Sequence, residues 1–484
     1  MSTLLSSQAS FPSALFAGRR YAVLGLGRNG LPAARALSAM GAAAAVWDDG
    51  EAARDAAAAE GLDVRRPDFA AETFDALVAS PGIPHRLPAP HLVAAAAIAA
   101  GVPVLSDAEL LFQAVRGAGS RARFAGITGT NGKSTTTALL AHVLAAVGVP
   151  VAAGGNLGPA ALALPLLPDH GVYVLEMSSY MLERLATLRF DAAALLNLSP
   201  DHLDRHGDMA GYVAAKRHIF DRRTDSELAV VGVDDPLCAG LAAAIPNCVR
   251  ISGRERSPRE AECFVSAGLL HDPHGPRTLR LRDAEALPGA HNAQNIAATV
   301  ALAGWLAADA GSRATGAQID AAVRSFPGLP HRQQRVAERG GIAYVDDSKA
   351  TNADAAARAL GCYPRLVWIA GGVAKSGGIE TLAPHFPAIA HALLIGRDAL
   401  LLATTLAAAG VSHEIAGTLE AAVPRAARAA AALGAGTVLL SPACASFDQF
   451  PGFEARGLRF AELVRALPGC AGEGAPAARI EDAA

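Results

Sequence analysis

The chain has 484 residues, 42 basic against 45 acidic, for a formal charge of −3. That balance excludes a polycationic nucleic-acid binder, and 51% apolar against 18% charged residues excludes a disordered acidic solubiliser. At about 150 residues per domain the length predicts three domains, each able to bury a core. Six cysteines, Cys238, Cys248, Cys263, Cys362, Cys444 and Cys470, include no CxxC pair, so neither a zinc ribbon nor a disulfide framework is expected. The N-terminus lacks a basic segment followed by a long apolar run, and no secretory leader is expected. Residues 138–168 carry no formal charge, but Gly148, Pro150, Gly154, Gly155, Gly158 and Pro159 cut them into pieces too short to span a bilayer.

Along the chain, short Val/Ile/Leu-rich runs alternate with Ala/Leu/Arg stretches of helical length, which predicts parallel, doubly wound α/β sheets. The first strand, Tyr21–Leu24, runs into GLGRNG at 25–30 and then a helix from Leu31 to Met40. In this GxGxxG, Gly25 permits the tight turn, Gly27 lets a phosphate approach the backbone, and Gly30 permits close helix–strand packing. The next strand ends at Asp48 and Asp49, about 20 residues on, where an acid can take a ribose hydroxyl. The pattern predicts a nucleotide site and leaves the nucleotide open.

RGAGSRAR reads as a linker near 118. A second strand, 123–129, then enters GITGTNGKST and opens another helix. Gly129 and Gly132 let backbone N–H groups curl around phosphates at a helix N-terminus. Lys133 supplies charge, and Ser134 or Thr135 a hydroxyl for Mg²⁺. The general P-loop has glycine five places before Gly132, where this chain has Ile127, yet ATP remains the expected ligand. Glu176 ends the strand VYVLE, where a carboxylate can reach a cation beside that loop. Residues 253–288 are Pro/Gly-punctuated and read as a hairpin insertion. SFPGLPHR marks a break near 328, RLVWIAGG (365–372) a third strand-to-glycine turn, and 470–484 a frayed tail. The expected organisation is a Rossmann-like part at 1–118, a central P-loop ATPase-type sheet at 119–328, and a Rossmann-like C-terminal part at 329–484.

TGTNGKST (128–135) resembles the ATP loop of the Mur ligase superfamily, which also includes folylpolyglutamate synthases. GGNLG (154–158), LEMSSYMLE (175–183), LNLSPDHLDRH (196–206), AAKRHIF (214–220), GAHNAQNIAA (289–298), GLPHRQQ (328–334), DDSKATNADAA (346–356) and LLSPACASFDQFPGFEARG (439–457) extend the likeness over nearly the whole chain. The last two are the most specific, and resemble the branch that adds D-glutamate to UDP-N-acetylmuramoyl-L-alanine. The resemblance implies an ATP-dependent amide ligase of peptidoglycan precursor synthesis working through an acyl phosphate. It further implies a cytoplasmic monomer with small-molecule substrates and neither nucleic-acid nor membrane partners.

Carried onto this sequence, the resemblance gives Gly129, Thr130, Asn131, Gly132, Lys133, Ser134 and Thr135 to the ATP phosphates. Asn292 and Asn295 go to its base, Arg332 to its phosphates and Asp347 to its ribose. Lys133, Glu176, His202 and Lys216 become the catalytic set. Ser134, Glu176, His202 and a CO₂-derived carbamate on Lys216 hold two Mg²⁺ ions, and Asp201 orients His202 or binds metal-linked water. His206 is left as a surface residue, since HLDRH lacks the glutamate of a zinc HExxH helix. The UDP-sugar falls to Gly25, Leu26, Gly27, Arg28, Asn29, Gly30, Asp48, Asp49, Ser80 and Asn156, and glutamate to Lys349, Thr351, Lys375, Ser446 and Phe453. Val373 and Ala374 depart from the polar residues relatives often carry before that lysine. Competing readings are a Mur-type ligase for L-glutamate or another acceptor, a nucleotide binder without turnover, and a dinucleotide oxidoreductase. Two metal-site ligands plus a modifiable lysine favour the ligase over a pure binder.

Overall fold

The structure, a computed structural model, describes residues 9–468 apart from 157, 257, 258, 274, 376 and 377. Cys470 and the tail expected to fray lie outside the described residues. Packing divides the chain into two compact units. One runs to Ala284 and includes His291–Phe326; the other holds Glu285–Ala290 and the chain from Pro327 onward.

The first unit carries two sheets. The five-stranded sheet is all parallel, in the order Asp63–Val64, Ala43–Trp47, Arg20–Leu24, Ala76–Ala79, Val104–Leu105. The first glycine loop leaves its central strand, whose two neighbours, Ala43–Trp47 and Ala76–Ala79, both follow it in the chain and lie on opposite sides of it in the sheet. In an open α/β sheet that switch point is where a ligand crevice forms.

The nine-stranded sheet places Arg123–Thr128 between Ala192–Leu195 and Val172–Glu176. These strands are almost wholly buried, as unbroken apolar runs covered by helices on both faces should be. Cys263–Ser266, Leu269–Asp272 and Gly275–Arg280 form an antiparallel meander at one edge, the insertion expected at 253–288. The uncharged stretch 138–168 resolves into the end of helix Lys133–Ala146, strand Val151–Gly155 and a short turn at Ala161–Ala163. Among the described residues no helix is long and apolar enough to cross a membrane.

One apolar cluster runs through both sheets, from Tyr21, Val23 and Leu37 through Leu110 and Leu111 to Phe124, Tyr173 and Leu175. The helix Asp107–Gly117, just before the expected boundary at 118, is therefore a shared wall rather than a loose connector. The second unit has a six-stranded sheet, parallel except for the edge strand Gln334–Arg339, with Trp368 fully buried at its centre.

Candidate active site

At the first glycine loop, Ser80 Oγ donates to Gly25 O at 2.8 Å, and Asn29 Nδ2 reaches Gly155 O at 3.5 Å. Gly30 opens the following helix so close to the turn that a Cβ there would lie inside contact distance of Gly25 O. Gly27 and Arg28 are exposed, with open space where a Gly27 Cβ would be, as a backbone that admits phosphate requires. Leu26 is buried and its N–H donates to Asp48 Oδ2 at 2.7 Å; Asp48 Oδ1 accepts from Gly50 N at 2.8 Å. Asp48 therefore braces the loop from inside. Asp49, exposed, bonds His91 Nε2 at 2.9 Å and accepts from Trp47 Nε1 at 3.2 Å.

At the second loop, Gly132 has φ of 84° and caps the helix that begins at Lys133. A side chain there would meet the amide oxygen of Asn295, so the loop rests directly on the helix Ala290–Asp309. Asn295 Oδ1 accepts from Thr136 Oγ1 at 3.2 Å, and Asn295 Nδ2 donates to Asn292 Oδ1 at 2.9 Å. Lys133 Nζ folds back onto Gly129 O (2.8 Å) and Thr130 O (2.9 Å). Thr130 Oγ1 donates to Ser199 O at 3.2 Å, and Asn131 N to Asn197 Oδ1 at 2.9 Å, so LNLSP holds the loop from the next strand. Ser134 is buried and Thr135 half-buried in the first helical turn.

Beside this loop, Glu176 stands in register with Ile127 on one side and Gly155 on the other. Its carboxylate is 2% exposed; Oε1 accepts from Asn156 Nδ2 at 2.7 Å, while Oε2 is buried with no protein partner. Lys216 is 1% exposed, with Nζ on Gly129 O at 3.0 Å and Thr128 Oγ1 at 3.3 Å and above the Tyr212 ring. Burial, then the nearby charge of Lys133, holds its ammonium well below the usual lysine range. The helix reading of YVAAKRHIF is met, with its lysine turned inward.

His202 sits in the left-handed region (φ 54°), its ring half-exposed against Tyr180 and its Nε2 3.4 Å from Asp201 Oδ2. Burial lowers its pKa, opposed by Asp201. His206 corrects the expectation of a surface residue. The turn Leu203–His206 stacks its ring on Tyr180, where Nε2 bonds Ser179 Oγ at 2.9 Å and the side chain is 1% exposed.

The orphaned Glu176 oxygen and the hydroxyl of Ser134 form a donor set of hard oxygens, which fits Mg²⁺. Among the described residues no three of His, Cys, Asp and Glu converge as a ready-made metal cluster. A cation there would need oxygens beyond these two.

In the second unit, Asp347 is buried, with Oδ2 accepting from Ser441 Oγ at 2.7 Å and Oδ1 from Gln333 N at 3.2 Å. Burial pushes its carboxyl up to about 7. Lys349 Nζ lies 5.0 Å from the Phe453 ring centre, and its N–H donates to His331 O. Thr351 N–H donates to Lys349 O, and Ser446 is buried at the turn before Phe450. Arg332 follows His331, whose ring bonds Asp346 Oδ2 at 2.7 Å. Lys375 is exposed, next to residues 376 and 377 outside the described set.

Sequence reading missed Arg456. It is buried and donates to Ser348 Oγ (2.9 Å), Ser348 O (2.8 Å) and Cys444 O (3.1 Å), joining the loops that carry Lys349 and Ser446. Its place in GFEARG offered no polar signature beyond an ordinary helical arginine.

A glycine loop at the switch point of a parallel sheet, beside a phosphate loop flanked by a buried carboxylate and a buried lysine, defines a nucleotide-dependent ligase of the Mur type. Residues 127–303 match the Mur ligase middle domain. The chain is 48% identical to the UDP-N-acetylmuramoylalanine–D-glutamate ligase of Paramagnetospirillum magneticum over 94% of this chain and 98% of that one. To the enzyme of the same name from Caulobacter vibrioides it is 47% identical over 96% and 99%. The chain belongs to the UDP-N-acetylmuramoylalanine–D-glutamate ligase family. Its fold is also that of the UDP-N-acetylmuramate–alanine ligase MurC from Thermotoga maritima. There the TM-score is 0.58 at 17% identity, over 92% of this chain and 98% of that one.

Proposed function

We propose that this chain joins D-glutamate to UDP-N-acetylmuramoyl-L-alanine at the expense of ATP, a step of peptidoglycan precursor synthesis. A carboxylate is a poor acylating agent, so the γ-phosphoryl first passes to the acceptor's terminal carboxylate, giving an acyl phosphate and ADP. The glutamate amine then attacks the acyl carbon and gives up a proton, and the acyl C–O bond breaks to release phosphate. Positioning and charge neutralisation carry such transfers.

The observation that carries the reading is the convergence of the phosphate loop, the half-satisfied Glu176 carboxylate and the buried Lys216 amine at adjoining strand ends. Lys133 would swing from its own loop carbonyls to the β/γ-phosphates. Lys216, whose charged form burial disfavours, would add CO₂ through its neutral amine, losing one proton and becoming an anionic carbamate. Glu176, Ser134, His202 and that carbamate would hold Mg²⁺, which neutralises phosphate charge. In the second unit Arg332 and Asp347 are assigned to ATP, and Lys349, Thr351, Lys375, Ser446 and Phe453 to glutamate. The division at 118 and 328, a monomeric state and a cytoplasmic location belong to the same proposal.

The deciding experiment is phosphate release from MgATP with UDP-N-acetylmuramoyl-L-alanine and either enantiomer of glutamate. Release that requires both the UDP-sugar and D-glutamate is expected. Release with L-glutamate alone would rename the enzyme, and ATP binding without release would make it a nucleotide binder.

A further inference from the structure

Arg184 lies eight residues beyond Glu176 and is 2% exposed. Its guanidinium donates from Nη1 to Ala79 O (2.8 Å) and Ser80 O (3.0 Å), from Nη2 to Ile83 O, and from Nε to His85 Nδ1 at 3.3 Å. None of these hydrogen-bond acceptors is a carboxylate. Burial pushes Arg184 down to about 10 and His85 down to about 4, so His85 is neutral at pH 7 and can accept the Nε proton. A second guanidinium, Arg205, donates to Gly82 O at 2.9 Å. Four carbonyls of the loop 79–83 are thus held by two arginines from the segments that follow Glu176 and surround His202.

Burying a guanidinium whose hydrogen-bond acceptors include no carboxylate carries a desolvation cost, only partly offset by the nearby Glu183 charge, which an apolar residue of similar size would avoid. The residue that tolerates that cost here is a planar fork able to fix several carbonyls at once. The loop it fixes supports the first glycine turn, since Ser80 Oγ donates to Gly25 O. The base of the arginine is equally rigid. Arg184 O accepts from Ser106 N, and the buried Glu109 carboxylate accepts from Ala186 N, Thr187 N and Leu188 N at 2.9 Å each.

We infer that Arg184 is a positioning and specificity-determining residue for the anionic half of the UDP-sugar. It would hold the 79–83 loop, and through Ser80 the Gly25–Gly30 turn, in the shape that receives the diphosphate. The substrate part of this inference rests on the reading given under Proposed function; the loop-ordering part does not.

The test uses the full chain with Arg184→Met, Arg184→Lys and Ser80→Ala. Arg184→Met is expected to raise KM for UDP-N-acetylmuramoyl-L-alanine by about 10- to 100-fold, with kcat and the KM for MgATP each within about threefold. Arg184→Lys, a point donor without the fork, should recover less than half of that loss on a logarithmic scale, and it serves alone if the Met variant fails to fold. Ser80→Ala should weaken the same KM, and the double variant should fall short of the product of the single effects, since both act through one loop. Amide exchange without ligand should be at least tenfold faster at residues 79–83 and 25–30 in the Arg184 variants and unchanged at 126–136. Unchanged exchange at both loops overturns the positioning role. Faster exchange with an unaltered KM for the UDP-sugar overturns the specificity role. If the wild-type chain binds no UDP-sugar at all, the functional reading fails, while the exchange result still decides the loop-ordering part.

Discussion

Asn156 Nδ2 donates to Glu176 Oε1 at 2.7 Å, which leaves Oε2 as the one oxygen of that buried carboxylate without a protein partner. The Asn156 N–H also donates to Glu176 O at 2.9 Å, so the asparagine clamps the residue by backbone and side chain together. The clamp fixes the direction of the vacant lone pairs. A carboxylate so held is organised for a cation at little further entropic cost.

Glu176→Gln keeps the size and the Asn156 acceptor but removes the charge. The expected result is an unchanged fold and a kcat lowered by about 10²- to 10³-fold, the scale of losing one electrostatic stabiliser. The Mg²⁺ concentration for half-maximal phosphate release should rise at the same time. A magnesium titration with the same midpoint as wild type would remove Glu176 from the metal site.

Lys216→Ala should abolish turnover, because its amine occupies the buried space between Gly129 O, Thr128 Oγ1 and the Tyr212 ring. Short carboxylic acids added to the variant should restore part of the activity by supplying the missing oxyanion. Full activity in the variant, or complete indifference to those acids, would argue that the lysine is structural.

The glycines of the first loop separate packing from binding. At Gly30 a Cβ would run into Gly25 O, a backbone atom that cannot move aside, so Gly30→Ala should cost about 3 kcal/mol of stability, read in chemical denaturation. Gly27 has open space and exposure, so Gly27→Ala should leave stability within about 0.5 kcal/mol while weakening UDP-sugar binding, read by calorimetry. Equal stability losses at the two positions would contradict this assignment.

Asp347 gives a pH signature. Its carboxyl is raised from 3.8 to about 7 by burial, so between those values the folded chain binds a proton that the unfolded chain has lost. Stability contributed by that proton is present at low pH and falls as pH rises through the window, by no more than about 4 kcal/mol. Asp347→Asn should flatten this part of the profile, so that the variant gains on wild type between pH 5 and pH 8. A difference that does not change with pH would place the Asp347 pKa near its ordinary value.

The phosphate-loop region was legible in the sequence because its determinants are local. GTNGKS specifies a positive-φ glycine, a helix start and a lysine within a few residues, and the VYVLE strand places its acid by length alone. The insertion at 253–288 showed through its turn residues in the same way. Asp48 was readable as a strand-end acid, but not as one whose two oxygens brace Leu26 and Gly50.

The sequence by itself determined the three α/β sheets, the two glycine loops and the family likeness, since strand runs, turns and helix starts are set by near neighbours. Tertiary structure alone decided which polar groups are buried and with whom. Lys216 and His206 share a polar pattern with any solvated helix, and Arg184 reads as an ordinary charge after a short turn. Their roles come from partners 27 to 105 residues away, among them Thr128, Gly129, Ser179 and Ala79. Desolvation and hydrogen-bond direction depend on which segments the folded sheets bring together, and no periodicity along the chain encodes that.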